Sequence, residues 1–131
     1  MKILMSLLIV LLLVTLSSAE TVEEYLAAGD AAHDAFDHET ALKNYAAAYE
    51  LDANNCEAAW KISRAYADIG DEKEDKDVRT EYFNKAEEFA RTAIDLCPNN
   101  DMAHLSLSIA IGRVALMAGK KEQVQLSQAV K

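Results

Sequence analysis

The sequence predicts an all-α fold in which helical hairpins stack on one another. Helix breakers are scarce, since the chain contains one Pro and four Gly. The strong helix former alanine recurs throughout residues 20–131. A boundary phrase also repeats. Residues 50–55 read ELDANN, residues 94–100 read IDLCPNN, and a new helical pattern follows each phrase. Internal repetition of this kind is typical of a stack of similar helical units.

Residues 1–19 have the pattern of a secretory signal peptide. Lys2 is followed by an apolar run over residues 3–16 and then by Ser17, Ser18 and Ala19, which form a small-residue cleavage site. The run is too short for a comfortable bilayer span of about 20 residues. We therefore expect an exported protein, periplasmic or secreted, whose mature chain starts at residue 20.

The acidic balance of the chain excludes some classes of partner. The formal net charge is −9, and loss of Lys2 with the signal peptide makes it one unit more negative. A nucleic-acid-binding protein needs a basic surface to neutralise phosphates, and an anionic membrane surface repels an acidic protein. We expect no nucleic-acid partner and no membrane contact beyond the signal peptide.

The mature chain is expected to form one domain over residues 20–131, with repeats at about 21–54, 55–99 and 100–131. Thr21 and Glu24 form a capping box, in which each side chain pairs with the backbone N–H of the other at a helix start. The hairpins are expected to cover residues 21–51, 55–96 and 100–131, with turns near Asp37, Gly70 and Gly119.

The units match the tetratricopeptide pattern, which pairs two antiparallel helices in about 34 residues. In the first unit Gly29, Ala41 and Tyr45 occupy small and aromatic positions of that pattern. The match predicts a right-handed superhelix. Ala53 and Pro98 are equivalent but 45 positions apart. The extra residues, within the charged segment 70–82, are expected to form a solvated helical extension or a loop.

Three segments are more distinctive than the general repeat pattern: residues 57–68 (EAAWKISRAYAD), residues 90–96 (ARTAIDL), and Ala103 and His104 with Gly112. They resemble one group of tetratricopeptide proteins, the regulator of microtubule dynamics family and its bacterial relatives. The resemblance covers residue 54 to the end and implies a helical-repeat scaffold without enzymatic activity. It also implies a second helix after Lys131, so the chain is expected to be shortened or a fragment. Export argues against a cytoskeletal role.

In tetratricopeptide arrays the first helix of each hairpin lines a concave groove that holds an extended peptide or a partner helix. The predicted groove residues are Glu23, Asp30, His33, Asp34, Glu57, Trp60, Arg64, Asp68 and Arg113. An acidic groove with an apolar floor at Trp60 suits a protein or peptide partner with apolar anchors and basic residues. Trp60 packing between adjacent first helices is an equal alternative. Leu26, Leu105 and Ile109 also face this way but are expected in the core.

Catalytic and metal-binding patterns are weak in this sequence. His33, Asp34, Asp37 and His38 form one metal-like cluster, but a third and fourth ligand are not evident, so we expect no metal and no other cofactor. No nucleotide-binding or hydrolase motif is present, and the protein is expected not to be an enzyme.

Cys56 and Cys97 lie at the two ends of the lengthened repeat. Packed helix axes are about 8–10 Å apart, whereas a disulfide needs Cα atoms within about 7 Å. We therefore expect Cys56 and Cys97 to be two free thiols within the monomer.

Two functions from different classes follow. The first is an exported, non-catalytic tetratricopeptide scaffold that binds a protein or peptide partner. The alternative is a structural subunit that forms a homo-oligomer through open repeat ends. It is suggested by the many apolar residues around the helix over residues 101–117, whose only following cover is residues 121–131.

Overall fold

The computed structural model describes residues 19–129, so nearly all of the predicted signal peptide lies outside the described residues. Within that range the chain forms five α-helices and no strand. The helices are α1 (Val22–Asp34), α2 (His38–Leu51), α3 (Cys56–Glu72), α4 (Lys76–Leu96) and α5 (Asp101–Ala129). The all-α prediction is confirmed.

Short polar side chains start most of these helices. The predicted capping box is present, because Thr21 Oγ1 accepts from Glu24 N at 3.2 Å and Glu24 Oε2 accepts from Thr21 N at 3.1 Å. Asn55 and Asn100, the last residues of the repeated boundary phrases, accept from the backbone N–H three residues ahead. Side-chain oxygens thus satisfy amides that have no partner inside the helix. The repeated phrase is therefore a repeated helix start.

Each helix packs on the next along the chain, and α3 also packs on α5. The close contact inside each hairpin joins a glycine to a buried aromatic ring. A Cβ on Gly29 of α1 would lie 2.5 Å from Tyr45 Cδ1, and one on Gly70 of α3 would lie 2.6 Å from Phe83 Cε1. Tyr45 and Phe83 are fully buried. The glycines therefore leave the space that the second helix fills.

The charged segment of the second unit extends both of its helices. Gly70 lies inside α3 rather than at a turn, and the connection falls at residues 73–75, where Asp75 Oδ1 accepts from Val78 N at 2.9 Å. The helices α3 and α4 have 17 and 21 residues, against 13 and 14 for α1 and α2. Of the two expected forms, the helical extension is confirmed.

The prediction of a third hairpin with a turn near Gly119 is wrong within the described residues. α5 continues as one helix of 29 residues through Gly119 to Ala129. The physical reason is that a lone glycine only weakens a helix, whereas a turn also needs a proline or a capping side chain. Residues 113–129 contain neither proline nor Asp, Asn or Thr, and their one Ser lies near the end.

The prediction of two free thiols is also wrong. Cys56 is the first residue of α3, Cys97 follows the last residue of α4, and the two are joined by a disulfide with a Cα–Cα distance of 6.1 Å. Both pack on the core cluster around Trp60 and Ala93. The distance between helix axes was a poor guide, because residues that face each other across a helix pair are closer than the axes.

Candidate functional site

Charged residues predicted to line the groove are joined by a buried lysine. Lys61 Nζ of α3 lies 2.8 Å and 2.7 Å from the two carboxylate oxygens of Asp30 on α1, and 2.7 Å from Glu57 Oε1. The Lys61 side chain is only 7% exposed. A buried ammonium needs this pairing to offset its loss of hydration. Asp30, Lys61 and Glu57 therefore connect the first helices of two hairpins.

A second layer of the same network reaches into the core. The Tyr45 hydroxyl donates to Asp30 Oδ1 at 2.7 Å, and Arg64 Nη2 donates to the Tyr45 hydroxyl at 3.5 Å. Burial raises the pKa of Asp30, but hydrogen bonds from Lys61 and Tyr45 outweigh it and leave that pKa below its ordinary value of 3.8. Asp30 is therefore an ionised carboxylate at neutral pH.

Trp60 is a packing residue rather than a groove anchor, so that part of the predicted site needs correction. Its side chain is 9% exposed and lies in a cluster with Ala59, Ala93 and Ala103. The cation of Arg64 lies 5.2 Å from its ring centroid. The reason is that α5 packs directly on α3. The indole fills the space between α3 and α5, the first helices of two adjacent repeats. This packing role is the alternative that the sequence also allowed for Trp60.

Of three further predicted groove residues, Arg113 is paired with a carboxylate, whereas Glu23 and Asp34 face solvent. Arg113 of α5 makes a two-pronged contact with Asp71 of α3, with Nε 3.0 Å from Oδ1 and Nη2 2.8 Å from Oδ2. This pair holds α5 against α3. Glu23 and Asp34 of α1 are exposed to solvent.

The structure brings His33, His38 and Asp68 together at one end of the first hairpin. Asp68 Oδ2 lies 3.6 Å from the Nδ1 atoms of both histidines. Burial raises the pKa of Asp68, and the nearby charges of the two histidines and Arg64 only partly oppose this. Of the residues noted as metal-like from sequence, Asp34 and Asp37 do not join the cluster, and Asp37 instead caps α2 through Thr40 N at 3.1 Å.

One face of α5 carries large apolar side chains that the other described helices leave exposed. Leu105 is 50% exposed, Ile109 38% and Leu116 53%. The expectation of Leu105 and Ile109 in the core is therefore wrong, while Leu26 is buried as expected. A Cβ on Gly112 or Gly119 would meet no atom within 4 Å. We name Leu105, Ile109, Gly112, Leu116 and Gly119 the α5 stripe.

The α5 stripe follows a heptad spacing. Successive members are four, three, four and three positions apart, which keeps them on one side of a helix and is the spacing by which helices pack on one another. The opposite side of α5 is buried through Ala103, Ser106, Ala110 and Met117. α5 is therefore covered on one side and open on the other.

The part of α5 between Asp101 and Glu122 is also long and apolar enough to cross a membrane by length and composition, with a mean hydropathy of 1.4. It is the one helix of this kind among the described residues. A helix that packs in a soluble core can meet the same criterion. Only 22% of this apolar window is buried in the structure, so most of it lies open, although α5 contacts α3 and α4 along one side.

The family of regulator of microtubule dynamics protein 1-3 matches residues 25–131. The chain belongs to this family. The match begins inside α1, so it includes the first hairpin, whereas the resemblance noted from sequence began at residue 54. A search of the curated proteins finds no match. Family membership indicates a helical domain that serves in protein interaction.

Proposed function

We propose that the protein is an exported, non-catalytic tetratricopeptide scaffold that binds a protein or peptide partner through the α5 stripe. The observation that carries the proposal is the open apolar side of α5. Monomeric proteins seldom expose contiguous large apolar side chains, and such patches mark sites of interaction. The family of the chain and its stacked hairpins support the same class of function.

The shape of the stripe favours a helical partner. Its heptad spacing gives a partner helix a continuous row of apolar positions. Glycine inside a helix costs roughly 1 kcal/mol relative to alanine, and within the described part of the chain no neighbour requires Gly112 or Gly119. Both would let a partner helix approach α5 closely. With an acidic scaffold of net charge −9, basic residues beside the apolar anchors of the partner would strengthen association.

The charged groove supports a structural role rather than a catalytic one. Lys61 is held by two carboxylates, and Arg113 is held by Asp71. Side chains held in this way join helices, whereas a general acid or base needs a proton that it can exchange with a substrate. The Cys56–Cys97 disulfide supports export, because such bonds persist in oxidising compartments.

The test is co-purification with point variants. Leu105→Glu and Ile109→Glu place a charge on the stripe and should reduce recovery of the partner by at least tenfold. Leu51→Glu is the matched control, because Leu51 of α2 is an exposed leucine, at 58% against 50% for Leu105. It should leave recovery unchanged. Equal recovery with all three variants would contradict the proposal.

A second candidate function is self-association through the same stripe. The observation that favours it is that α5 ends the stack of described helices with its apolar side open. Two copies of α5 could pack on each other along the heptad row. Sedimentation of the purified chain over a wide concentration range separates the two. A dimer that Ile109→Glu dissociates supports self-association, and a monomer at all concentrations supports a different partner.

A further inference from the structure

We propose that His33, His38 and Asp68 bind a divalent transition-metal ion, for which zinc is the best fit. The three residues come from three helices. His33 lies in the last turn of α1, His38 is the first residue of α2, and Asp68 lies in α3. This inference is independent of the α5 stripe.

The spacing of the ligand atoms suits a small tetrahedral ion. One ligand atom from each residue can be chosen so that all three lie within 4.8 Å of one another. The two histidine Nδ1 atoms are each 3.6 Å from Asp68 Oδ2. Zinc bonds to nitrogen and oxygen of about 2.0–2.2 Å place neighbouring ligands of a tetrahedron about 3.4 Å apart. The two histidine–aspartate distances are therefore within a few tenths of an ångström of the tetrahedral value.

The Nδ1 atoms of both histidines and one oxygen of Asp68 are buried without a hydrogen-bond partner. His33 Nδ1, His38 Nδ1 and Asp68 Oδ2 are inaccessible to solvent and form no hydrogen bond to the part of the chain that the structure describes. A separation of 3.6 Å is too long for a hydrogen bond. Buried polar atoms are nearly always paired. Three such atoms around one point therefore indicate a ligand that they share.

The surroundings also fit a metal site. Glu72 Oε1 lies 3.6 Å from His38 Nε2, the nitrogen left over when Nδ1 binds a metal. Metal-bound histidines usually donate this second N–H to a carboxylate, which fixes the ring and the tautomer, and Glu72 would have to move about half an ångström closer to accept it. Phe36, in the turn between the histidines, has a φ of 59°, and the two imidazole rings lie 5.5 Å apart. The turn therefore holds both rings at the site.

The ligand types select the class of ion. Two imidazoles and one carboxylate suit zinc, cobalt and nickel, whereas calcium and magnesium prefer oxygen ligands alone. The positive charge of Arg64, one helical turn before Asp68, weakens the site but does not occupy it, because its guanidinium packs over the Trp60 ring. A bound ion would join the first hairpin to α3.

Titration with Zn²⁺ and Co²⁺ tests the site in the mature chain, freed of any affinity tag. We expect one ion per chain, a rise in the melting temperature that a chelator reverses, and the intense visible absorption of tetrahedral Co²⁺. Calcium should cause none of these changes. A wild-type chain without the cobalt absorption, or with the weak absorption of octahedral cobalt, would overturn the proposal.

Variants assign the ligands. His38→Gln and Asp68→Asn should lower Zn²⁺ affinity by at least about 100-fold, and Glu72→Gln by about 10–100-fold. His104→Gln is the matched control, since His104 is exposed and is the third histidine of the chain. Undiminished binding by Asp68→Asn, or an equal loss in His104→Gln, would overturn the assignment. If a ligand variant fails to fold, the wild-type cobalt spectrum still decides the proposal.

Discussion

Breaking the Cys56–Cys97 disulfide should destabilise the protein strongly. The bond closes a loop with a sequence separation of 41 residues, which spans all of α3 and α4. In the chain-entropy relation, cross-linking a loop of this length stabilises the native state by about 4 kcal/mol, because it restricts the unfolded chain. For a domain of this size the melting temperature should fall by roughly 15 °C on reduction.

The assay is thermal unfolding followed by far-ultraviolet circular dichroism, with and without reductant. The double variant Cys56→Ser/Cys97→Ser is the control and should melt at the temperature of the reduced protein, with no response to reductant. Alkylation of the unreduced protein followed by mass spectrometry should find neither thiol modified. Two alkylated cysteines, or a melting temperature that reductant leaves unmoved, would refute the reasoning.

Three further predictions concern packing, charge and secondary structure. Gly29→Ala should lower the free energy of unfolding by about 1–3 kcal/mol, because the new Cβ would collide with the buried Tyr45 ring. Gly112→Ala should instead raise the free energy of unfolding of the monomer by about 0.5–1 kcal/mol, because the new Cβ has open space and alanine is the better helix former. Urea titration of both variants checks the contrast, and equal effects would contradict it. Asp30→Asn should be less stable than the wild type at neutral pH. Because the folded pKa of Asp30 lies below 3.8, the contribution of its carboxylate is complete above that pH and disappears as pH falls through the folded value. Acid titrations of the two proteins should therefore converge below pH 3.8, and a gap that widens on acidification would be the opposite result. The circular dichroism spectrum of the purified domain, residues 20–131, should be dominated by helix, and a strand-dominated spectrum would be incompatible with the fold.

Helix starts could be predicted from the sequence because their signals are local. Thr21 with Glu24, and the asparagines that end each boundary phrase, act on amides within three residues. The predicted turn at Gly119 is absent, because no residue near Gly119 actively stops a helix, and α5 continues through it. The disulfide could not be predicted from the spacing of helix axes, because it depends on which residues of α3 and α4 face each other.

The candidate sites were also only partly predictable from the sequence. His33 and His38 are neighbours in sequence and could be recognised as a pair. Asp68 is 30 positions beyond His38, and only the packing of α3 against the first hairpin brings it to them. The burial of Trp60 and the exposure of Leu105 likewise depend on which side of α5 faces α3. Sequence periodicity alone does not decide that, since apolar residues occur all around α5.

The most direct test of the proposed function places a photo-crosslinking amino acid at Ile109 and, as a control, at Leu51. We expect a covalent adduct between the Ile109 protein and a different protein, and none from the Leu51 protein. An adduct with a second copy of the chain would instead establish the self-association candidate, and a lipid adduct would place α5 in a membrane. No adduct at Ile109, or the same adducts from both positions, would contradict the claim that the α5 stripe is a docking surface.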